Sequence, residues 1–121
     1  MEEELLAVFK DALDKLSIES AYMVYAGDTY PYMTYEYYET GVTHEDGGTS
    51  GELLCEIWSR GTFAELIDIK NKLKEFFKQK NIMVGNNVYH FDYASSVPDD
   101  TGDAELKKRQ VSITTRYWKG A

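Results

Sequence analysis

The stretch Lys107-Lys-Arg-Gln-Val-Ser-Ile-Thr-Thr-Arg-Tyr-Trp118 decides the fold. Val111, Ile113, Thr115 and Tyr117 alternate with Ser112, Thr114, Arg116 and Trp118. That period of two belongs to a strand with one buried and one more polar face. Residues 88–97 repeat it: Tyr89, Phe91 and Tyr93 oppose Val88, His90 and Asp92. Between them, Pro98-Asp99-Asp100-Thr101-Gly102-Asp103 is turn-rich and acidic. The two strands therefore read as a hairpin. Gly85-Asn86 marks a turn before it.

Further upstream, Thr62-Phe63-Ala64-Glu65 has the spacing of a capping box. The amphipathic helix it opens is expected to run to about Lys80, burying Phe63, Leu66, Ile67, Ile69, Leu73, Phe76 and Phe77. Before it, Leu53, Cys55 and Ile57 alternate with Leu54, Glu56 and Trp58. Residues 32–39 alternate Met33, Tyr35 and Tyr37 with Tyr32, Thr34, Glu36 and Tyr38. Pro31, without a donor N–H, suits a strand start or an edge. Gly41 to Gly51 holds four glycines and reads as a mobile connection. This is a first hairpin with an extended loop. Residues 2–16 form a first helix, with Leu5, Leu6, Phe9, Leu13 and Leu16 in one stripe and Glu2, Glu3 and Glu4 at its electropositive end.

The predicted order is helix, strand, strand, helix, strand, strand, in a single α+β domain over residues 1–121. The economical arrangement is a four-stranded, mostly antiparallel sheet of two hairpins with both helices on one face. No internal repeat is visible in the residues, although the two halves share an architecture.

Composition narrows the function. A chain of 121 residues with 43% hydrophobic content suits one globular core. The net charge of −8 argues against nucleic acid, whose phosphates call for clustered Lys and Arg. The main basic cluster, Lys107-Lys108-Arg109, neighbours Asp99, Asp100, Asp103 and Glu105. The single Cys55 lies inside a strand and reads as a small buried hydrophobe. The first residues, MEEELLAVFK, are acidic where a signal peptide is basic. No apolar run approaches the roughly 20 residues of a membrane span. The expectation is a protein of a reducing cytoplasm, with no membrane and no nucleic-acid partner.

Catalytic and metal motifs fare poorly. Asp100-Thr101-Gly102 matches the aspartic-protease triplet, but lacks the apolar lead-in and shielded carboxylate pair that chemistry needs. His44-Glu45-Asp46 are adjacent in a glycine-rich loop and cannot easily converge on one ion. His90 and Asp92 share a strand face without further ligands. With two histidines, a Ser-His-Asp arrangement has no support. No phosphate-binding glycine loop leads into a helix. The reading is a non-enzyme with no cofactor.

The tyrosines remain. Residues 25–41 hold six of the ten. Met33, Tyr35 and Tyr37 fit a core face, leaving Tyr32 and Tyr38 opposite, with Trp58 and Trp118 on the corresponding faces of their strands. Several large aromatics on a nominally open sheet face exceed what a lone monomer usually shows. Tyr and Trp favour interfaces because they bury area and keep a polar handle. Protein contact, coverage by the chain's own loops and a small stacked ligand all remain open.

Tyr30-Pro31-Tyr32-Met33-Thr34-Tyr35 is similar to the P-Y-hydrophobic-x-Y strand of small tailed-phage proteins of the tail-terminator, tail-completion and head-tail joining group. The similarity continues through Leu54-Cys55-Glu56-Ile57-Trp58-Ser59, then a helix with Leu66-Ile67 and Leu73, and a strand pair with Phe91-Asp92-Tyr93 and Arg116-Tyr117. It spans about residues 20–118, and the glycine-rich loop after Thr40 departs from it. The resemblance implies a non-enzymatic structural subunit of a phage or prophage particle. Members of that group commonly assemble as hexameric rings that cap the tail tube and face the head connector. It also implies as partners further copies of the chain, tail-tube protein and head-connector proteins, in the host cytoplasm during assembly and then in the virion tail or neck. Flexible loops 41–51 and 96–106 would order against neighbours. Tyr32, Tyr38, His44, Glu45, Asp46, Trp58, Asp99, Asp100, Asp103, Lys107, Lys108, Arg109 and Trp118 are the candidate interface. The alternative is a small aromatic-lined module that binds a ligand or a protein.

Overall fold

The computed structural model describes residues 2–42 and 47–120. In chain order its elements are α1 (Glu2–Lys15), β1 (Ser20–Tyr22), β2 (Tyr32–Val42), β3 (Thr49–Ser59), α2 (Phe63–Phe76), β4 (Lys80–Val84), β5 (Asn87–Asp99) and β6 (Lys107–Trp118). All the strands join one six-stranded sheet in the order β1-β2-β3-β6-β5-β4. β1 runs parallel to β2, and every other pairing is antiparallel.

The expected four-stranded sheet is therefore wrong in two places. β1 is three residues long, too short to carry a readable alternation. β4 lies where the helical pattern of α2 was expected to persist. Phe77 already leaves the helix at φ −95, ψ 17, and Gln79 adopts a left-handed φ of 46. The chain turns back there, and Lys80–Val84 pairs with β5 through the Gly85-Asn86 turn. The first hairpin is also longer than expected. β2 continues to Val42 through a bulge between Glu39 and Gly41, and β3 begins at Thr49.

Both helices cover one face. Met33, Tyr35, Tyr37, Leu53, Cys55, Ile57, Tyr89, Phe91, Val111, Ile113 and Tyr117 point into a core shared with Leu5, Phe9, Leu13, Leu66, Leu73 and Phe77. Phe9 is central to it. Its ring lies 5.0 Å from Tyr35, 5.2 Å from Phe77 and 6.0 Å from Phe91. Gly51 suits this packing because a Cβ there would run into the Tyr37 ring and its hydroxyl.

Local chemistry fixes the corners. At the end of α1, Ser17 takes a left-handed φ of 59 and donates to Asp14, while Ile18 donates to Leu13. That is the Schellman pattern, with serine in the usual glycine place. At the start of α2, Thr62 makes no side-chain cap bond. The expected capping box is replaced by the buried Ser59, which donates to Glu65 Oε2 at 2.5 Å and accepts from the Gly61 N–H at 2.9 Å. Each half of the chain thus runs helix, short outer strand, long strand, long strand. The halves meet where β3 pairs with β6.

Candidate functional site

The opposite face of the sheet carries neither helix. It presents Tyr32, Thr34, Glu36 and Tyr38 from β2, and Glu52, Leu54, Glu56 and Trp58 from β3. β6 adds Lys108, Gln110, Ser112, Thr114, Arg116 and Trp118. A bulge between Tyr93 and Ser95 keeps Asp92, Ser95, Val97 and Asp99 of β5 on the same side.

Register builds one continuous row across it. Tyr32 pairs with Trp58, Trp58 with Lys108, and Lys108 with Asp99. The Tyr32 and Trp58 rings stack at 6.2 Å and 19°. Lys108 Nζ sits 4.7 Å from the Trp58 centroid, 3.2 Å from Glu56 Oε1 and 3.1 Å from Asp99 Oδ2. Gln110 donates to Asp99 at 3.0 Å. The bond from Lys108, then that from Gln110, holds the Asp99 carboxyl below its ordinary pKa.

The segment between β1 and β2 closes the other end of the row. Tyr25 stacks on Tyr32 at 4.3 Å and 16°, Tyr30 lies 5.2 Å from Tyr32, and Arg60 sits 5.4 Å over Tyr30. The row thus runs as a stack of aromatic rings with a cation over each end, Arg60 on Tyr30 and Lys108 on Trp58, contacts that strengthen as water is removed. The six tyrosines of residues 25–41 divide by role. Tyr35 and Tyr37 are core, Tyr25, Tyr30 and Tyr32 form the half-buried cluster, and Tyr38 is exposed.

Of the residues singled out in the sequence, Tyr32, Trp58, Lys108 and Asp99 come together here. Tyr38 shares the face, opposite Glu52, and Trp118 lies at its far end beside Arg116. Lys107 and Arg109 point to the helix side instead. Lys107 covers the Phe63 ring at 5.4 Å, and Arg109 Nε donates to Ser96 at 2.6 Å. Asp100 and Asp103 brace the turn before β6, accepting from the backbone N–H groups of Gly102 and Glu105. His44, Glu45 and Asp46 lie outside the described residues. Tyr25, Tyr30, Arg60 and Glu56 belong to the row yet were missed. The period-two phase placed Glu56 on the face, but only the strand register brings it to Lys108.

The other polar candidates have structural partners. His90 Nδ1 lies 2.7 Å from Asn81 Oδ1, and Asp92 accepts from the Gln79 N–H at 3.0 Å. Cys55 is buried, and burial pushes its thiol pKa up, away from nucleophilic use. Among the described residues, no three His, Cys, Asp or Glu side chains group to hold a metal ion. No described helix is long and apolar enough to cross a membrane. In the middle of the helix-free face, Glu36, Leu54, Glu56, Val97, Gln110 and Ser112 line a depression of about 200 Å³. That is below the roughly 300–1,000 Å³ of small-molecule sites. No protein-family model matches the chain, and neither does any curated protein.

Proposed function

We propose that this protein is a non-enzymatic structural subunit of a tailed-phage or prophage particle, forming a ring that ends the tail tube or joins tail to head. One observation carries the assembly part of this reading. The aromatic and cationic row Tyr32–Trp58–Lys108–Asp99 lies on a sheet face that neither helix covers. Half-buried Trp and Tyr beside an oriented Lys make a surface whose coverage by another protein is favourable. The phage part rests on the resemblance of residues 20–118 to the tail-terminator and joining group.

The mechanism in this reading is steric. A ring seats on the end of the tube, blocks further addition and offers its other side to the head connector. The work is done in the host cytoplasm, and the protein remains in the virion tail or neck. The small depression on the face favours a protein partner over a stacked small ligand.

Solution mass and electron microscopy test it, with the protein alone at rising concentration and then mixed with tail-tube protein. Rings, or caps on tube ends, are expected. A chain that stays monomeric under both conditions overturns the reading. Particles assembled without this protein separate the two roles: overlong tubes mean termination, and unjoined heads and tails mean joining.

A further inference from the structure

The chain carries −8 overall, yet five of its 13 Lys and Arg residues fall between positions 70 and 80. On α2, Phe63, Ile67, Lys70 and Lys74 recur at helical spacing and share one flank. The α2 carboxylates Glu65, Asp68 and Glu75 fall at other angles around the helix. Leu66, Ile69 and Leu73 bury the side facing the sheet. Phe63 is 59% exposed and Ile67 42%. α2 therefore offers solvent an apolar step that continues into lysines.

The helix-free face has the complementary arrangement. Five carboxylates, Glu36, Glu52, Glu56, Asp92 and Asp99, share it with three cations, Lys108, Arg116 and, at the Tyr30 end of the row, Arg60. Lys108 is already committed to Glu56 and Asp99. At the centre, Leu54 and Val97 are 36% and 51% exposed, with Glu36 beside them in the same depression.

We infer that the α2 flank of one copy docks on the helix-free sheet face of the next. Phe63 and Ile67 would cover Leu54 and Val97, with Lys70 and Lys74 over Glu36 and Glu52. Charge complementarity selects a second copy as the occupant. The two surfaces lie in opposite layers of the molecule, so the contact is heterologous and repeats from copy to copy until rotation closes it. The inference rests on the ring reading above and names its contact.

Charge exchange tests it. The wild-type protein should self-associate at low ionic strength and weaken as salt screens the contact. Glu36→Lys/Glu52→Lys and Lys70→Glu/Lys74→Glu should each weaken self-association by about tenfold or more, because like charges then meet. An equimolar mixture of the two should recover assembly, since each variant's altered surface meets the other's. Circular dichroism checks that both variants fold. If either does not, Ile67→Ser is expected to weaken the same contact. Wild-type rings that the exchanges leave unchanged, or a mixture that does not recover, overturn this contact while the ring reading stands. A wild-type chain that never associates, even with tail-tube protein, overturns both.

Discussion

Lys108 is held over the Trp58 ring at 4.7 Å while its ammonium bonds Asp99 and Glu56. Burial acts to lower its pKa, but the two carboxylates outweigh burial and leave it raised. Asp99 is lowered in turn. The Asp99 contribution to stability is present above the unfolded carboxyl value of about 3.9 and is lost as pH falls through the lower folded value. The Lys108 contribution is present below about 10.4 and is lost as pH rises through its raised folded value. Asp99→Asn should flatten the acid side of a stability-against-pH curve, and Lys108→Met should flatten both sides. Urea melts across the pH range measure this. An unchanged acid limb in Asp99→Asn would show that the bridge is energetically idle.

Phe9 should be the most costly single truncation in α1. It is fully buried and touches Tyr35, Phe77 and Phe91. Phe9→Ala should cost about 3–5 kcal/mol. Against a total of about 5–15 kcal/mol, that leaves a marginal fold. Denaturant unfolding reads the loss. A cost below about 1 kcal/mol would mean that α1 does not close this core.

How much was legible follows the same physics. β3 and the Val111–Tyr117 part of β6 bury every second residue, β5 does so only at Tyr89 and Phe91 before its bulge, and the phase of these stretches was readable. The phase also separated Tyr35 and Tyr37 from Tyr32 and Tyr38. β4 was hidden because Phe76, Phe77 and Lys80 continue a helical spacing. The helix ends through the backbone turn at Gln79, which no side-chain periodicity records. β1 is held by three backbone pairings and by Lys10, which donates to the Ser20 carbonyl at 2.8 Å. The site was half legible. Faces follow from alternation, but the row from Tyr32 to Asp99 depends on register across four strands. Arg60 joins it only because the chain reverses after β3.

Ser59 should matter more than Thr62 for the start of α2. Ser59→Ala removes the bond to Glu65 and the acceptor for Gly61. It should cost about 1.5–3 kcal/mol, the range for a hydrogen bond to a charged group. Thr62→Ala should change little, as Thr62 makes no side-chain cap bond. Paired melts of the two variants decide it, and the reverse ranking would restore the capping box.

Tyr37 should ionise late. Burial, against a smaller opposing pull from Thr115, pushes its hydroxyl up to about 12. The folded value lies above the unfolded value of about 10, so the contribution is complete below pH 10 and is lost as pH rises towards 12. Tyr37→Phe should therefore leave the native protein's tyrosinate absorbance near pH 11 almost unchanged, because Tyr37 is still largely protonated there. If the substitution does lower native absorbance there, Tyr37 is open to solvent.

The seam between β3 and β6 also sets an order of events during synthesis. Thr49 to Ser59 pairs with residues 107–117, among the last part of the described chain to leave the ribosome. Until then β3 is a bare edge bearing Leu53, Cys55 and Ile57, and both helices have half a surface to rest on. Contacts this distant along the chain close slowly. The nascent protein therefore passes through an interval in which β3 can be captured by a chaperone or by another unfinished copy, and a chain cut before Lys107 never leaves it.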